Sequence, residues 1–260
     1  MGITLNDVVS GRQPKPPRII VYGGDGVGKS TLVKDGFILD FEGGNGYIDV
    51  FKSVDLVKRD WNAVTETLKL IHDNPKEIGT NIIVLDSIDW LERIIFADVA
   101  DEKNVSSVDE IGYFKGFSFA IERWKKLLAR LDKLRALDFT VVMIAHSQIV
   151  KVEDPMHDSY DMHHLKLHKS ARAILMEWAD IVSYVSFEVL THKVSGTFGN
   201  VKNKASSTGQ RLMHLSSDQP QFQAKSRLDL PDQLPLDWKV FSDAIASAMG
   251  TKPKTKTKGE

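Results

Sequence analysis

The sequence predicts a three-layer α/β/α domain with a mostly parallel sheet and antiparallel edge strands towards the C-terminus. Three observations carry that expectation: short apolar runs recur along the chain, amphipathic helical stretches separate them, and the rhythm changes after residue 180. Buried strands read as continuous apolar runs because both faces are covered, and strands that alternate with helices pair in parallel through right-handed crossovers. Ligands of such sheets gather at the carboxyl ends of the strands.

Residues 1–17, ending in "RQPKPP", are proline-rich and polar and are expected to form an extended leader. The first strand follows at Arg18–Tyr22, and "FILDF" (37–41), "NIIVLD" (81–86), "FTVVMIA" (139–145) and "DIVSYVSF" (180–187) are the next buried strands. Between them, Trp61, Val64, Leu68 and Ile71 fall on one helical face, as do Phe117, Ile121, Trp124, Leu128, Leu131 and Leu134. Those stripes are core rather than cofactor boxes. "KSARAILMEWADIV" predicts a short structural helix with Ile174, Leu175 and Trp178 turned inward. Beyond residue 180, "SGTFGN" (195–200) and "SSTGQ" (206–210) read as turns between shorter strands, hence antiparallel additions at the sheet edge. "GTKPKTKTKGE" from Gly250 has the polar, basic composition of a disordered tail.

Composition bounds the rest. A chain of 260 residues, 42% hydrophobic, can bury one substantial core. With 34 basic and 35 acidic residues the formal net charge is −1, so no whole-molecule field draws it to nucleic acid or an anionic membrane, and any such binding is local. Cysteine is absent, which excludes disulfides and thiolate metal sites and fits a reduced, cytoplasmic setting. No apolar run approaches the roughly 20 residues of a membrane helix. The opening "MGITLN" carries Asn6 where a myristoylation signal wants Ser or Thr.

The stretch "IIVYGGDGVGKSTLV" then invites a chemical reading. Gly23, Gly28, Lys29 and Ser30 satisfy G-x-x-x-x-G-K-S/T after a strand and before a helix. Gly23, Gly24, Asp25, Gly26, Val27, Gly28, Lys29, Ser30 and Thr31 thus form a loop whose backbone N–H groups turn inward around a polyphosphate. The following helix adds its positive dipole end, Lys29 reaches the β- and γ-phosphates, and Ser30 ligates Mg2+. "NIIVLDS" supplies Asp86 at a strand end, where a carboxylate holds the magnesium shell. ATP and Mg2+ are the expected ligands.

Residue 87 is Ser, so a water-activating carboxylate must come from elsewhere. Glu42, after "FILDF" and before Gly43 and Gly44, is the best candidate, with Asp40 and Asp89 as rivals and a merely solvated strand-end acid as the bland alternative.

A glycine loop, then "LDFEGG", "IIVLDS" and "VVMIAHSQ" in this order resembles the RecA-like core ATPases of the P-loop NTPase class, and particularly the short phage-encoded RecA-type recombination, or single-strand annealing, ATPases. "RLMHLSSDQPQFQAKSRLDLPDQLPLDW" (211–238) resembles that family too, so the likeness covers most of residues 18–240. It implies a RecA-like ATPase domain over 18–249, with Glu42 as catalytic glutamate and His146 as the polar γ-phosphate sensor. It also implies that Lys225 and Arg227 are a Lys-x-Arg pair inserted into the neighbouring subunit's site. Only residues 30–41 separate Lys29 from Glu42, a departure that leaves little more than two turns for the helix between them.

From Ser147 to Lys169 the chain is long and polar, a functional or mobile loop that resembles by position the DNA-binding loop of RecA-like recombinases. Lys166, His168, Lys169 and Arg172 supply charge and Tyr160 a stacking ring for single-stranded DNA, diluted by Glu153, Asp154, Asp158 and Asp161. A metal role for His157, His163, His164 and His168 matches no standard spacing. The leading expectation is an ATPase that assembles head to tail as ring or filament, binds single-stranded DNA, works with a single-strand-binding protein, and has no membrane partner. The alternatives are an ATP-dependent loader or scaffold for replication or helicase machinery, and a nucleotide kinase; a GTPase is disfavoured because "NKAS" (203–206) lacks the guanine-selecting aspartate.

Overall fold

The computed structural model describes residues 4, 8, 10, 11, 13–112, 115–156, 158–195, 201–217 and 219–250. β1 (Arg18–Gly23) is apolar from Ile19 to Tyr22 because its two faces serve different cores: Ile20 and Tyr22 enter one, Ile19 and Val21 the other. A single helical turn, α1 (Lys29–Leu32), leads to β2 (Phe37–Asp40) and β3 (Lys52–Asp55). α2 (Trp61–Asp73) begins where the Asp60 carboxylate accepts the amide of Ala63, and it buries the predicted stripe of Trp61, Val64, Leu68 and Ile71. β4 (Ile82–Asp86), α3 (Ile88–Lys103), α4 (Lys115–Ala136) and β5 (Thr140–Val152) follow. The second half comprises β6 (Tyr160–Leu165), α5 (Lys169–Trp178), β7 (Ile181–Ser195), β8 (Val201–His214), β9 (Lys225–Ser226), β10 (Gln233–Pro235) and α6 (Trp238–Ala248).

The sheet runs β10-β8-β7-β1-β5-β4-β2-β3, with β6 paired to β5 and β9 to β7. β1, β2, β3, β4, β5 and β7 are mutually parallel, whereas β6, β8, β9 and β10 join antiparallel. Helices α2 to α5 cover one face, with Trp124 fully buried among them, while α1 and α6 cover the other through Leu32, Phe241 and Ile245. Each fully buried aliphatic or aromatic side chain of these layers contributes about 1.5–3 kcal/mol by leaving water.

Four expectations need correction. Ser147–Lys169 is no free loop: β5 continues to Val152 and β6 returns along it, with Ser147 opposite Leu165 and Val152 opposite Tyr160. The hairpin stands out beyond the parallel sheet, so outward positions such as Lys151 and Asp161 are polar and its strand pattern is faint. "SSTGQ" is no chain reversal but part of β8, where the register slips between Phe187 and Val189 and Gly209 takes φ +80° to absorb the extra residues. The strands after residue 180 are longer, not shorter, since β7 spans 15 residues and β8 14. The helix after the glycine loop is 4 residues long, so it brings no summed macrodipole, and the loop's own amides are left to meet an anion. Residues 196–200 of "SGTFGN" and residues 251–260 of the tail lie outside the described residues.

Parallel register fixes where chemistry collects. Gly23 lies beside His146 of β5 and Val185 of β7, and Asp40 lies beside Asp86. The carboxyl ends of β1, β2 and β4, together with the middle of β5 at His146, therefore form one rim.

Candidate functional site

The rim begins at Gly23, where β1 approaches β7 so closely that a Cβ would stand 2.2 Å from the carbonyl oxygen of Val185. The loop then turns through Gly28 at φ +100°, a left-handed conformation that favours glycine. Val27 is buried in the core with Leu32 and Val33 and anchors the loop from below, whereas Gly24, Asp25, Gly26 and Thr31 are exposed. Lys29 is 6% exposed, and its Nζ donates to the carbonyl oxygens of Gly23 at 3.1 Å and Gly24 at 2.8 Å. Burial pushes the Lys29 ammonium below its ordinary pKa, opposed by the charges of Asp25, Asp86, Glu42 and Asp89.

Asp86 ends β4 at 5% exposure, with the Ser30 hydroxyl beside it acting to lower its pKa. Its carboxyl is pushed up to about 6, by burial first and by Glu42 and Asp40 as well. Asp40 is occupied in shaping the next turn: its Oδ1 accepts the amides of Glu42 at 3.1 Å and Gly43 at 2.7 Å. Glu42 itself is partly exposed, and its Oε2 accepts the Ser87 hydroxyl at 3.1 Å.

His146 ties these groups together. Its Nδ1 lies 3.0 Å from Asp89 Oδ2, its Nε2 3.4 Å from Asp25 Oδ1 and 3.8 Å from Glu42 Oε2, and its amide donates to Asp89 Oδ1 at 3.1 Å. The bond to Asp89 raises the pKa of His146, with burial opposing. Burial likewise pushes Asp89 up, but the bonds from His146 outweigh it and hold that carboxyl below its ordinary value. Facing carboxylates at both nitrogens, the imidazole is set up to be doubly protonated. Of the three candidate bases, Asp40 and Asp89 are thus engaged as orienters, and Glu42 alone combines a hydrogen-bonded anchor with access to water.

One turn further along α3, Glu92 is 6% exposed and its Oε2 accepts the amide of His168 at 2.9 Å. Its carboxyl is pushed up to about 7, by burial first, with Asp89 acting in the same direction and the His168 amide opposing. A folded-state pKa above the unfolded value of 4.5 gives stability that is complete below about pH 4.5 and is lost as pH rises through 7. Urea unfolding at pH 5 and pH 8 should therefore show the wild type losing about 2–3 kcal/mol relative to Glu92→Gln between those values. Parallel pH dependence of the two proteins would refute that assignment.

The remaining sequence candidates do not join the rim. Lys225 and Arg227, on and just after β9, lie towards the amino end of β7, with Lys225 opposite Val182 while the loop lies at Val185, on the order of 10 Å away along the strand. Arg227 Nη1 pairs with Asp180 Oδ1 at 3.0 Å and its Nη2 donates to the Glu177 carbonyl at 2.7 Å. Arg18 and Arg135 share that aspartate at 2.9 and 3.1 Å. Tyr160 opens β6 and Lys166 follows its last residue, about 20 Å away along the strand direction. Lys166 and Lys169 are exposed and Arg172 is partly buried. His168 is occupied structurally: its ring stacks on Phe117 at 4.1 Å and caps α5 through Ser170. His163 stacks on Tyr184 while the adjacent His164 is buried, and His157 lies outside the described residues.

One residue that sequence reasoning passed over stands beside the loop. Arg211 of β8 places its guanidinium 2.9 Å from where a Cβ on Gly28 would be. Its only signal in the sequence is an arginine inside a polar strand, which says nothing about distance to Gly28.

Residues 15–228 match the AAA domain family. No curated protein sequence matches the chain. Among solved structures, the chain is similar to the flagellar accessory protein FlaH from Methanocaldococcus jannaschii, at 15% identity over 77% of this chain and 85% of that chain, with a TM-score of 0.34. It is also similar to a KaiC-like protein from the hyperthermophilic archaeon Pyrococcus horikoshii OT3, at 14% identity over 77% of this chain and 79% of that chain, with a TM-score of 0.39. Likenesses of that size carry no inference about activity.

Proposed function

The chain belongs to the AAA domain family, and from that premise we propose that it binds and hydrolyses ATP in RecA-like fashion, in assemblies that engage single-stranded DNA during strand annealing or another step of homologous recombination. The observation that carries the ATPase reading is the convergence of Lys29, the Ser30–Asp86 pair and the Glu42–His146–Asp89 chain on one rim. Five carboxylates, from Asp25, Asp40, Glu42, Asp86 and Asp89, outnumber the two cations there, so a polyphosphate is accommodated only with additional positive charge.

Ser30 and Asp86 fit a divalent ion, since a buried carboxyl pushed up to about 6 lacks a full counter-charge. Mg2+ held by this pair neutralises charge on the phosphate chain when bound. The protein's own groups do the rest. Lys29 exchanges two loop carbonyls for phosphate oxygens. Glu42, held by Ser87 and by the turn that Asp40 organises, accepts the proton of the attacking water. His146, whose protonated form Asp89 favours, turns Nε2 towards the terminal phosphoryl group, where negative charge develops.

Support for the DNA part is the motif resemblance together with the exposed Lys166 and Lys169. The amide of Lys166 donates to the carbonyl of His146 at 2.9 Å, so the sensor strand is bonded to the segment that would meet DNA. Support for assembly is that Lys225 and Arg227 cannot reach their own loop and would act on a neighbour's. Steady-state hydrolysis measured against protein concentration, with and without single-stranded DNA, tests both. Specific activity is expected to rise with concentration and with DNA, and to fall in Lys225→Ala; a rate indifferent to all three removes assembly and DNA from the proposal and leaves the ATPase.

One observation favours a second reading, a loader or scaffold that clamps ATP without trans activation: Arg227 is already committed to Asp180 within its own chain. Under that reading Arg227→Ala lowers the melting temperature and leaves turnover unchanged.

A further inference from the structure

The antiparallel edge builds a wall beside the glycine loop that none of the chemistry above uses. Phe187 on β7 and Arg211 on β8 are cross-strand neighbours, and the Arg211 guanidinium carbon lies 5.6 Å from the centroid of the Phe187 ring. The carbonyl of Arg211 accepts the amide of Leu236 at 2.9 Å, which holds the segment after β10 against β8. A Cβ on Gly28 would stand 2.9 Å from Arg211 Nη1 and 3.5 Å from Leu236 Cδ2. Arg211 and Leu236 thus close on the loop from outside, whereas Lys29 occupies its inside through the Gly23 and Gly24 carbonyls.

Two properties make this wall more than a surface arginine resting on a ring. Arg18, Arg123, Arg135 and Arg227 have carboxylate partners, whereas among the described residues Arg211 has none; Arg59, Arg93, Arg130 and Arg172 have none either, but it is Arg211 whose guanidinium stands against the glycine loop, with five carboxylates along the adjoining rim. A planar fork of N–H donors left without an anion, next to a loop that receives phosphates, is matched to phosphate oxygens in geometry and charge. Phe187, beside it, remains 40% exposed, an aromatic face offered to solvent.

We infer that Arg211 is a second phosphate-binding cation of the nucleotide site, reaching the phosphate chain of ATP from outside the glycine loop, and that the Phe187 ring is the surface on which the base lies. This rests on the nucleotide-binding reading above and extends it to strands that carry none of the recognised motifs. The base is held by stacking on an edge-strand ring, so the site selects for a phosphate chain and a flat heterocycle.

Calorimetric titration of the full chain with a non-hydrolysable ATP analogue and, separately, with inorganic tripolyphosphate, both with Mg2+, tests the inference. Arg211→Ala is expected to bind both ligands about 10- to 100-fold more weakly, because it loses a charge-assisted contact common to both. Phe187→Ala is expected to bind the analogue about tenfold more weakly and tripolyphosphate as the wild type does. Lys29→Ala is the control for the underlying reading. If Lys29→Ala fails to bind while Arg211→Ala binds both ligands like the wild type, the inference falls and nucleotide binding stands; if Lys29→Ala also binds normally, the site itself is misread. Should Arg211→Ala lower the melting temperature of the unliganded protein, the same criteria apply to Arg211→Gln, which keeps the aliphatic stem over Phe187.

Discussion

Replacing Lys29 by alanine is expected to weaken ATP binding by at least about 100-fold, since charge-assisted bonds to phosphate contribute about 1.5–3 kcal/mol each and the ammonium makes more than one. The geometry explains why this substitution outweighs any other at the rim. Lys29 is buried and rests on the carbonyls of Gly23 and Gly24, so its cation is already desolvated and held within the loop. Its removal also takes away the ammonium that faces Asp25, Asp86, Glu42 and Asp89, and their uncompensated field repels phosphate. Equilibrium binding of a fluorescent ATP analogue reads the effect directly. Wild-type affinity in Lys29→Ala would falsify the placement of the nucleotide at this loop.

Glu42→Gln should separate binding from chemistry. Glutamine is nearly isosteric, keeps an oxygen to accept the Ser87 hydroxyl, and leaves the Asp40 turn untouched, so affinity should change by no more than about threefold. Turnover should fall by about 10²- to 10⁴-fold, the range that general-base catalysis supplies. Single-turnover hydrolysis with enzyme in excess isolates the step. A rate within tenfold of wild type would move the base elsewhere, and Asp89 would be the next group to test despite its commitment to His146.

Much of the rim was legible in the sequence because its parts are local. Phosphates are met by consecutive backbone amides, so the residues from Gly23 to Thr31 must be contiguous and can be read as a string. Asp86 and Glu42 are legible for a similar reason, since an acid at the end of an apolar run stands at a sheet edge. What the string conceals are the couplings set by register and by helix phase. That Asp89 holds His146 depends on β1, β4 and β5 aligning and on the first turn of α3 facing inward. α3 was itself inconspicuous because Asp89 and Glu92 interrupt its apolar stripe. The β5–β6 hairpin looked like loop because one of its faces meets water, with Ile149 and Asp161 outward and Met162 and His164 inward. Arg211 was invisible for a simpler reason: about 180 residues of chain separate it from the glycine it faces, and no periodicity spans that gap.

Arg18, Arg135 and Arg227 share Asp180 at one end of the strands, where with Lys225 they outnumber Asp180, Asp132 and Glu177, while acids crowd the opposite rim, and this gives the molecule a direction. Along the strand axis it resembles a bar with unlike poles: two copies meeting acid end to acid end repel, while basic end to acid end attracts. Any stacking of this chain on itself along that axis is therefore biased towards a single polarity, and added salt should erode that bias before it touches the fold.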